Sequence, residues 1–387
     1  MRVVHLIKMT RIAGAERHLL DLVGGLRARG VDAHFLLLVE PGNLMLDFVA
    51  EAAARDVPCE CVTIAHNADV TLYPRLWRRL RALRPDVAHT HLQHADLYGI
   101  PAARLAGVPV VITSRHNDNR FRRWFPIRQL NWLLWRWVSA GIGISENMRR
   151  FAITVEGAPA DRVHTIFYGL DPDVQPVEKA TARAAIRQEF GLGPDAPLLG
   201  MVCRLIEQKG VPYALEAFAR LTERFPDAHL LLAGEGELQE RLAAQARLMD
   251  GGERVHFLGW REDIPQVMAA LDVFLMPSLW EGFGLVLLEA MAQGLPVVGS
   301  AVSAIPEIVV EGETGLLCPP MDAVTLAACI ARVLDDADLR QRLGAAGRAR
   351  LEATFTVDRM VDATLALYDQ TLAKANRQDA KDAKKGN

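Results

Sequence analysis

Two carboxylates, Glu281 and Glu289, flank the glycines Gly282 and Gly284 in the segment from Val273 to Val298. The segment reads as strand, glycine loop, helix, glycine stop and strand. Gly282 and Gly284, with Phe283 between them, let the backbone approach a ligand. A helix opening near Leu285 turns unpaired N–H groups and its positive dipole end toward an anion, which suits a phosphate. With Glu281 in the loop and Glu289 on the helix, both can accept hydrogen bonds from the hydroxyls of a sugar and a ribose. A second run, Cys203 to Gly210, closes a strand with Arg204 and places Lys209 five residues on, at the edge where open α/β sheets bind ligands. Two cations, a helix N-terminus and two carboxylates describe a site for a nucleotide diphosphate joined to a sugar. The bland alternative for the glycine segment is an ordinary tight turn with Glu289 capping or pairing locally.

Several other chemistries are excluded by their motifs. Gly234 and Gly236 follow a strand, but Gln239 stands where the third glycine of a dinucleotide fingerprint belongs. There is no Gly-Lys-Ser/Thr for a P-loop and no H-E-x-x-H for a zinc hydrolase. Cys59 and Cys61 form a lone C-x-C, too little for a structural zinc. Asp171 and Asp173 form a D-x-D in a proline-rich stretch, where a turn competes with metal binding. His89, His91 and His94 cluster at a strand end; we expect no metal there, a core or surface role for His89 and His94, and a cleft position for His91.

The elements that must carry these residues are legible in the apolar runs. The chain has 387 residues, 50% of them hydrophobic and 24% charged, with 29 Gly and 20 Pro, an ordinary globular composition that excludes disordered and fibrous classes. Five cysteines, an odd count, point to a reducing compartment and against a disulfide framework. Neither a leader sequence nor a spanning apolar run is read, so we expect a cytoplasmic protein. Apolar runs at Val3–Ile7, 31–39, 86–89, 108–113, 142–145 and 163–167 alternate with helix-length segments, a β-α-β rhythm that predicts a parallel sheet. Between Tyr168 and Pro197 glycine and proline interrupt the rhythm around one short helix, which marks a domain junction. The rhythm resumes with strands at 198–203, 229–233, 255–258, 273–277 and 296–299. After Ala323 the chain reads as helical to about 374, and residues 375–387 are expected to be a disordered tail. Split at residue 175, the first part has 22 Lys+Arg against 17 Asp+Glu (+5) and the second 22 against 30 (−8). This weakly favours an anionic partner for the first part. No nucleic-acid partner is expected.

With these residues in place, the second half resembles the retaining glycosyltransferases of family 4. Glu281 and Glu289 match the ends of that family's E-x7-E signature, Arg204 and Lys209 its diphosphate-binding pair, and Glu307 lies in a similar segment from Ile305 to Leu316. The resemblance covers nearly the whole chain and weakens in the first domain. Ala13-Gly14-Ala15-Glu16 resembles the family's glycine pair followed by Ala-Glu, with Ala13 in place of the first glycine. Val110 to His116 resembles the strand that ends in the family's active-site histidine.

The resemblance implies an α/β protein of the GT-B fold, two facing Rossmann-like doubly wound parallel-sheet domains with a cleft between them. Residues 1–170 would form the acceptor-side domain and 171–355 the nucleotide-sugar-binding domain, with a helix over 356–374 packing back on the first. It implies transfer of a sugar from a nucleotide-diphosphate-sugar to a hydroxyl acceptor, with retained anomeric configuration, no cofactor and no metal. His116, Arg204, Lys209 and Glu281 are then the candidate catalytic residues. Gly14, Glu235, Leu258, Gly282, Phe283, Gly284, Leu285 and Glu289 are the donor-binding candidates, and His91, Arg115 and Asn117 the acceptor or cleft candidates. A GT-B phosphorylase, a sugar-nucleotide epimerase and a non-catalytic sugar-nucleotide-binding protein remain the alternatives, the last opposed by the intact Arg204, Lys209, Glu281 and Glu289 set.

The acceptor is addressed by the stretch from Arg120 to Trp137, which interleaves arginines with four of the seven tryptophans. With Tyr73 to Arg84 it offers a surface for anionic headgroups, so a sugar, glycan or lipid-linked acceptor and a peripheral position on the inner membrane face are expected. The competing reading packs these tryptophans onto their own sheet.

Overall fold

A computed structural model describes residues 1–11, 14–66, 68–117, 120–173 and 177–385. The chain divides into two compact units, Met1–Gly169 with Val357–Asn387, and Leu170–Thr356. The first is built on seven strands: β1 (Arg2–Lys8), β2 (Asp32–Val39), β3 (Cys59–Thr63), β4 (Val87–His91), β5 (Val110–Arg115), β6 (Ala140–Gly143) and β7 (Val163–Thr165). The second has six: β8 (Leu198–Val202), β9 (His229–Ala233), β10 (Val255–Gly259), β11 (Val273–Met276), β12 (Val297–Ser300) and β13 (Gly315–Cys318). Every paired strand in both sheets is parallel.

The strand orders are β3-β2-β1-β4-β5-β6-β7 and β10-β9-β8-β11-β12-β13. Each order reverses direction once, between β1 and β4 in the first unit and between β8 and β11 in the second. At such a switch point the connections leave to opposite sides and open a crevice above the carboxyl ends of the strands. Helices on both faces explain why β1, β4 and β5 are buried along most of their length, without the alternation of a sheet that is covered on one face only.

β3 and β13 were not among the expected strands. Of β3 only Val62 is buried, and its cysteines and glutamate give no apolar run. β13 has four residues and begins at a glycine. Both are sheet edges, where short strands are the rule.

The carboxyl-terminal helix spans Val357–Lys385 and belongs to the first unit. The disordered tail expected from residue 375 is therefore corrected to helix as far as Lys385. Lys, Ala, Arg, Gln and Asp without Gly or Pro extend an existing helix without a new nucleation step. The helix is anchored at its start by Asp358 and Asp362, which accept hydrogen bonds from Arg29 at 2.8 and 2.5 Å, and by the buried residues Val361 and Tyr368. Among the described residues, no helix is long and apolar enough to cross a membrane.

Candidate functional site

In the second unit the expected donor residues stand at the carboxyl ends of four adjacent strands. The turn after β8 carries Arg204 and Lys209, and the loop after β11 carries Glu281, so the pair Lys209–Glu281 spans the switch point. Lys209 Nζ lies 2.6 Å from Glu281 Oε2, and both side chains are largely buried. A charge-assisted bond of this kind holds each partner in one geometry. The backbones of the two loops are stitched as well: Leu279 N donates to Gln208 O at 2.8 Å, and Gln208 Nε2 donates to Trp280 O at 3.0 Å. Gly210 makes this approach feasible. Its φ is 63°, and a Cβ there would fall 1.9 Å from the Pro277 carbonyl oxygen.

Arg204 is exposed, and its side chain has no hydrogen bond or ion pair among the described residues. It is a cation available to a ligand. Gly284, at φ 98°, precedes the helix Leu285–Ala292, whose first N–H groups have no side-chain cap. Leu285 opens that helix and Glu289 lies half-buried one turn further. Gly282 is buried in the preceding loop. The Phe283 ring turns into the core, edge-on to Phe355 at 6.0 Å, so this residue can meet a ligand only through its backbone. Glu235 is exposed after β9, and its carbonyl accepts from Leu205 N at 2.8 Å. Leu258 lies half-buried near the end of β10. This edge thus brings together two cations, a carboxylate held by one of them, and a helix N-terminus, which is what binding a diphosphate requires.

The D-x-D reading is answered locally. Asp171 Oδ1 accepts from Asp173 N at 2.9 Å, and Asp173 Oδ1 accepts from Arg348 Nη2 at 2.8 Å, an Asx turn closed by an ion pair.

In the first unit β5 delivers His116, which is buried at the carboxyl edge of the sheet. Burial pushes its pKa down to about 3, with the nearby charges of Arg115 and Arg122 acting in the same direction. Its Nε2 lies 3.1 Å from His91 Nδ1, and its Nδ1 meets the Tyr168 hydroxyl. His91 in turn lies 3.0 Å from His5 Nδ1. His91 was expected in a cleft; it is corrected to a fully buried residue inside this imidazole chain. His89 is also buried, bonded to the Tyr368 hydroxyl at 2.6 Å and Ser114 Oγ at 2.7 Å. His94 stands apart, half-buried near Tyr98 at 5.1 Å between ring centroids. Among the described residues one group, His5, His89 and His91, brings its donor atoms within 4.8 Å of one another. It includes His5, which the sequence reading passed over, and leaves out His94.

Arg115 is likewise corrected from a cleft residue to a core cation. It is 1% exposed; Nη1 donates to Asp96 Oδ2 at 2.5 Å and Nε to Glu156 Oε2 at 2.6 Å. Arg122 completes a buried set of two cations and two carboxylates, and Trp135 Nε1 donates to Glu156 at 3.3 Å. Buried charges are tolerated only when paired in this way. The network pins the end of β5 and so the start of the loop that carries His116. Asn117 is half-buried, and its carbonyl accepts from Arg122 Nη1 at 3.4 Å. Gly14 opens the helix Gly14–Ala28, while Ala13 lies outside the described residues. The sequence reading missed His5, His18, Asp96, Glu156 and Tyr168. Only His5, a polar residue inside the apolar run Val3–Ile7, carried a local signal.

Of the four tryptophans between Arg120 and Trp137, Trp135 is core, whereas Trp124, Trp132 and Trp137 are exposed, Trp124 at 66%. Phe121, Phe125 and Leu133 are exposed with them, and Arg123, Arg128 and Arg136 surround them. The packing reading therefore holds for one tryptophan of the four.

Two parallel doubly wound units, one carrying a cationic switch-point site and the other a strand-end histidine, define the nucleotide-sugar-dependent glycosyltransferases of the GT-B fold. The chain belongs to glycosyltransferase family 4: residues 12–174 match the model described as Glycosyltransferase Family 4, and residues 182–350 that of the group 1 glycosyl transferases. It is 34% identical over 299 residues to a glycogen synthase of Mycobacterium tuberculosis, covering 74% of this chain and 69% of that one. It is 28% identical over 349 residues, 87% of this chain and 88% of the other, to the Escherichia coli UDP-Gal:alpha-D-GlcNAc-diphosphoundecaprenol alpha-1,3-galactosyltransferase. The crystal structure of Anabaena HepE in complex with UDP superposes with a TM-score of 0.84 at 23% identity, covering 96% of this chain and 100% of that one, a likeness of fold.

Proposed function

We propose that this glycosyltransferase moves a sugar from a nucleotide-diphosphate donor to a hydroxyl of a lipid-linked or cell-surface glycan, keeping the anomeric configuration and using no metal. The observation that carries the donor half is the Lys209–Glu281 pair at the β8/β11 switch point beside the free Arg204 guanidinium. Arg204, Lys209 and the N–H groups at Leu285 meet the diphosphate, whose charge grows as the glycosidic bond breaks. Preorganised charge of this kind is worth most where it develops in the transition state. Glu281, held by Lys209, accepts from sugar hydroxyls, and Glu289 from the ribose. Gly14, Glu235, Leu258, Gly282, Phe283 and Gly284 shape the donor site through their backbones or short side chains. His116 is proposed at the reaction centre and Asn117 next to it.

The acceptor half rests on the exposed Trp124, Phe125, Trp132, Leu133 and Trp137 among Arg123, Arg128 and Arg136. Aromatic rings seated at headgroup level with arginines on phosphates make a peripheral contact with an anionic membrane surface, each basic residue contributing about 1 kcal/mol. The Escherichia coli relative, which by its name acts on a diphosphoundecaprenol acceptor, supports the same class.

The test has two arms. A panel of nucleotide sugars, read by release of nucleoside diphosphate in the presence of chelator, identifies the donor, and NMR of the product gives the anomer. Sedimentation with vesicles of about 30% anionic lipid is expected to show binding that weakens with salt. No vesicle binding at low salt, together with good turnover of a small water-soluble acceptor, would overturn the membrane reading. An inverted product would overturn retention.

A further inference from the structure

The switch point of the first unit holds a feature that sugar transfer alone does not call for. His5 on β1 and His89 on β4 are register partners, and Ile7 pairs with His91. The three imidazoles therefore lie on one face of two neighbouring strands, and β5 adds His116 beside them. The contacts run in an unbroken line: His5 Nδ1 to His91 Nε2 at 3.0 Å, His91 Nδ1 to His116 Nε2 at 3.1 Å, and His116 Nδ1 to the Tyr168 hydroxyl. Tyr168 feels the charge of Glu16, in the first turn of the helix that follows β1. All of these groups are buried.

A neutral imidazole has one N–H donor and one acceptor nitrogen. In a line where each ring uses both nitrogens, the choice at either end fixes every tautomer between. Burial lowers the pKa of His5, His91 and His116, to about 3 for His5 and His116, so the rings are neutral. Two polarities are then available. If Tyr168 donates to His116 Nδ1, each ring carries its proton on Nε2, and the line ends with the His5 Nε2–H stranded in the core, because His5 Nε2 has no partner among the described residues. If the line runs the other way, each ring carries its proton on Nδ1, every N–H finds an acceptor, and His5 Nε2 keeps only a lone pair. Stranding a buried donor is the rarer and costlier arrangement.

We propose that His5 and His91 are positioning residues that hold His116 in its Nδ1–H tautomer through a buried imidazole chain running from β1 to Tyr168. The inference rests on the reading of His116 as a residue of the reaction centre. With Nδ1 donating to Tyr168 and Nε2 accepting from His91, neither ring nitrogen is left to take the acceptor's proton. His116 then presents a fixed, neutral edge to the site. The rival occupant is a metal ion at His5, His89 and His91. It fits less well, because both His89 nitrogens are already bonded to hydroxyls, and the His89 and His91 rings lie over one another with centroids 4.1 Å apart instead of radiating from a common point.

The experiment is long-range ¹H–¹⁵N correlation of the full-length protein labelled at histidine, with signals assigned by single His→Asn variants, alongside elemental analysis for bound metal. The expected result is a protonated Nδ1 and a bare Nε2 on His5, His91 and His116, with metal well below stoichiometric. Tyr168→Phe, which removes the acceptor of the His116 Nδ1–H so that either polarity strands one buried donor, should turn the His116 signals into a tautomer mixture and lower kcat about tenfold without raising KM. His5→Asn, whose amide can still donate from the position of Nδ1, should keep the wild-type tautomers and turnover. A protonated Nε2 on His116 in the wild-type protein, or stoichiometric metal released by chelator, would overturn the proposal even if neither variant folds. Near wild-type turnover by His116→Asn with the wild-type tautomer pattern as expected would instead overturn the role of His116 and leave the chain standing.

Discussion

Acidification should unfold the first unit well before carboxylate chemistry alone would. His5 and His116 are neutral in the folded protein down to about pH 3 because burial opposes their charging. In the unfolded chain they protonate near the ordinary value of about 6.5. Between those limits the unfolded state binds more protons, so stability is fully present above about pH 6.5 and is lost as pH falls toward 3. Going from pH 7 to pH 5 removes roughly 2 kcal/mol per ring, or about 4 kcal/mol for the two. His18, His89 and His91, whose pKa values burial also lowers, add to the fall. A domain holds about 5–15 kcal/mol in total, so this is a large fraction. The assay is urea denaturation followed by tryptophan fluorescence at half-unit steps between pH 7 and 5. Five of the seven tryptophans, Trp77, Trp124, Trp132, Trp135 and Trp137, report on the first unit. His5→Leu should flatten the slope between pH 6 and 5 by about 1.2 kcal/mol per pH unit, whatever it does to stability at pH 7. An unfolding free energy that does not change between pH 7 and 5, or a slope untouched by His5→Leu, would refute the reasoning.

Three further outcomes are expected. Asp96→Asn or Glu156→Gln leaves the buried Arg115 and Arg122 short of charge, and should destabilise the first unit by about 3–5 kcal/mol in the same urea assay. Gly210→Ala puts a methyl 1.9 Å from the Pro277 carbonyl oxygen in a left-handed turn, so it should separate the Lys209 and Glu281 loops and lower kcat at least tenfold, while the core of the unit still melts cooperatively. Glu289→Ala should chiefly weaken affinity for the bare nucleoside diphosphate and Glu281→Ala discrimination among donor sugars, both measurable by calorimetry and competition; equal effects of both on the bare nucleotide would contradict the division.

What could be read from sequence follows from how local each signal is. The two sheets were legible because parallel strands covered on both faces carry apolar runs, as in Phe35–Val39 and Leu198–Cys203. The meeting of these residues at the β8/β11 edge was legible because glycine, lysine and glutamate in short loops after strands point to one sheet edge, and Gly210 and Gly284 do take the left-handed backbone such loops need. Arg115 and His91 were misplaced because the direction of a strand-end side chain depends on partners far along the chain. Asp96 and Glu156 turn Arg115 inward, and His5, eighty-six residues from His91, draws that ring into the core. β3 and β13 were lost because an edge strand of four or five residues has too little buried face to stand out. The helix beyond residue 374 was missed because propensity, and not an apolar face, sustains it.

The central claim is that a nucleotide-sugar diphosphate is met by Arg204 and Lys209 at the β8/β11 switch point. The most direct measurement is single-turnover and steady-state release of nucleoside diphosphate from the active donor by the wild-type protein, Arg204→Ala and Lys209→Ala, with folding checked by thermal melting. Each substitution is expected to lower kcat by roughly 10² to 10³, as for removal of one preorganised donor to a developing charge, with the melting profile little changed for the exposed Arg204 and a lower midpoint for Lys209, whose loss leaves the largely buried Glu281 unpaired. Near wild-type turnover by both variants on that donor would contradict the account.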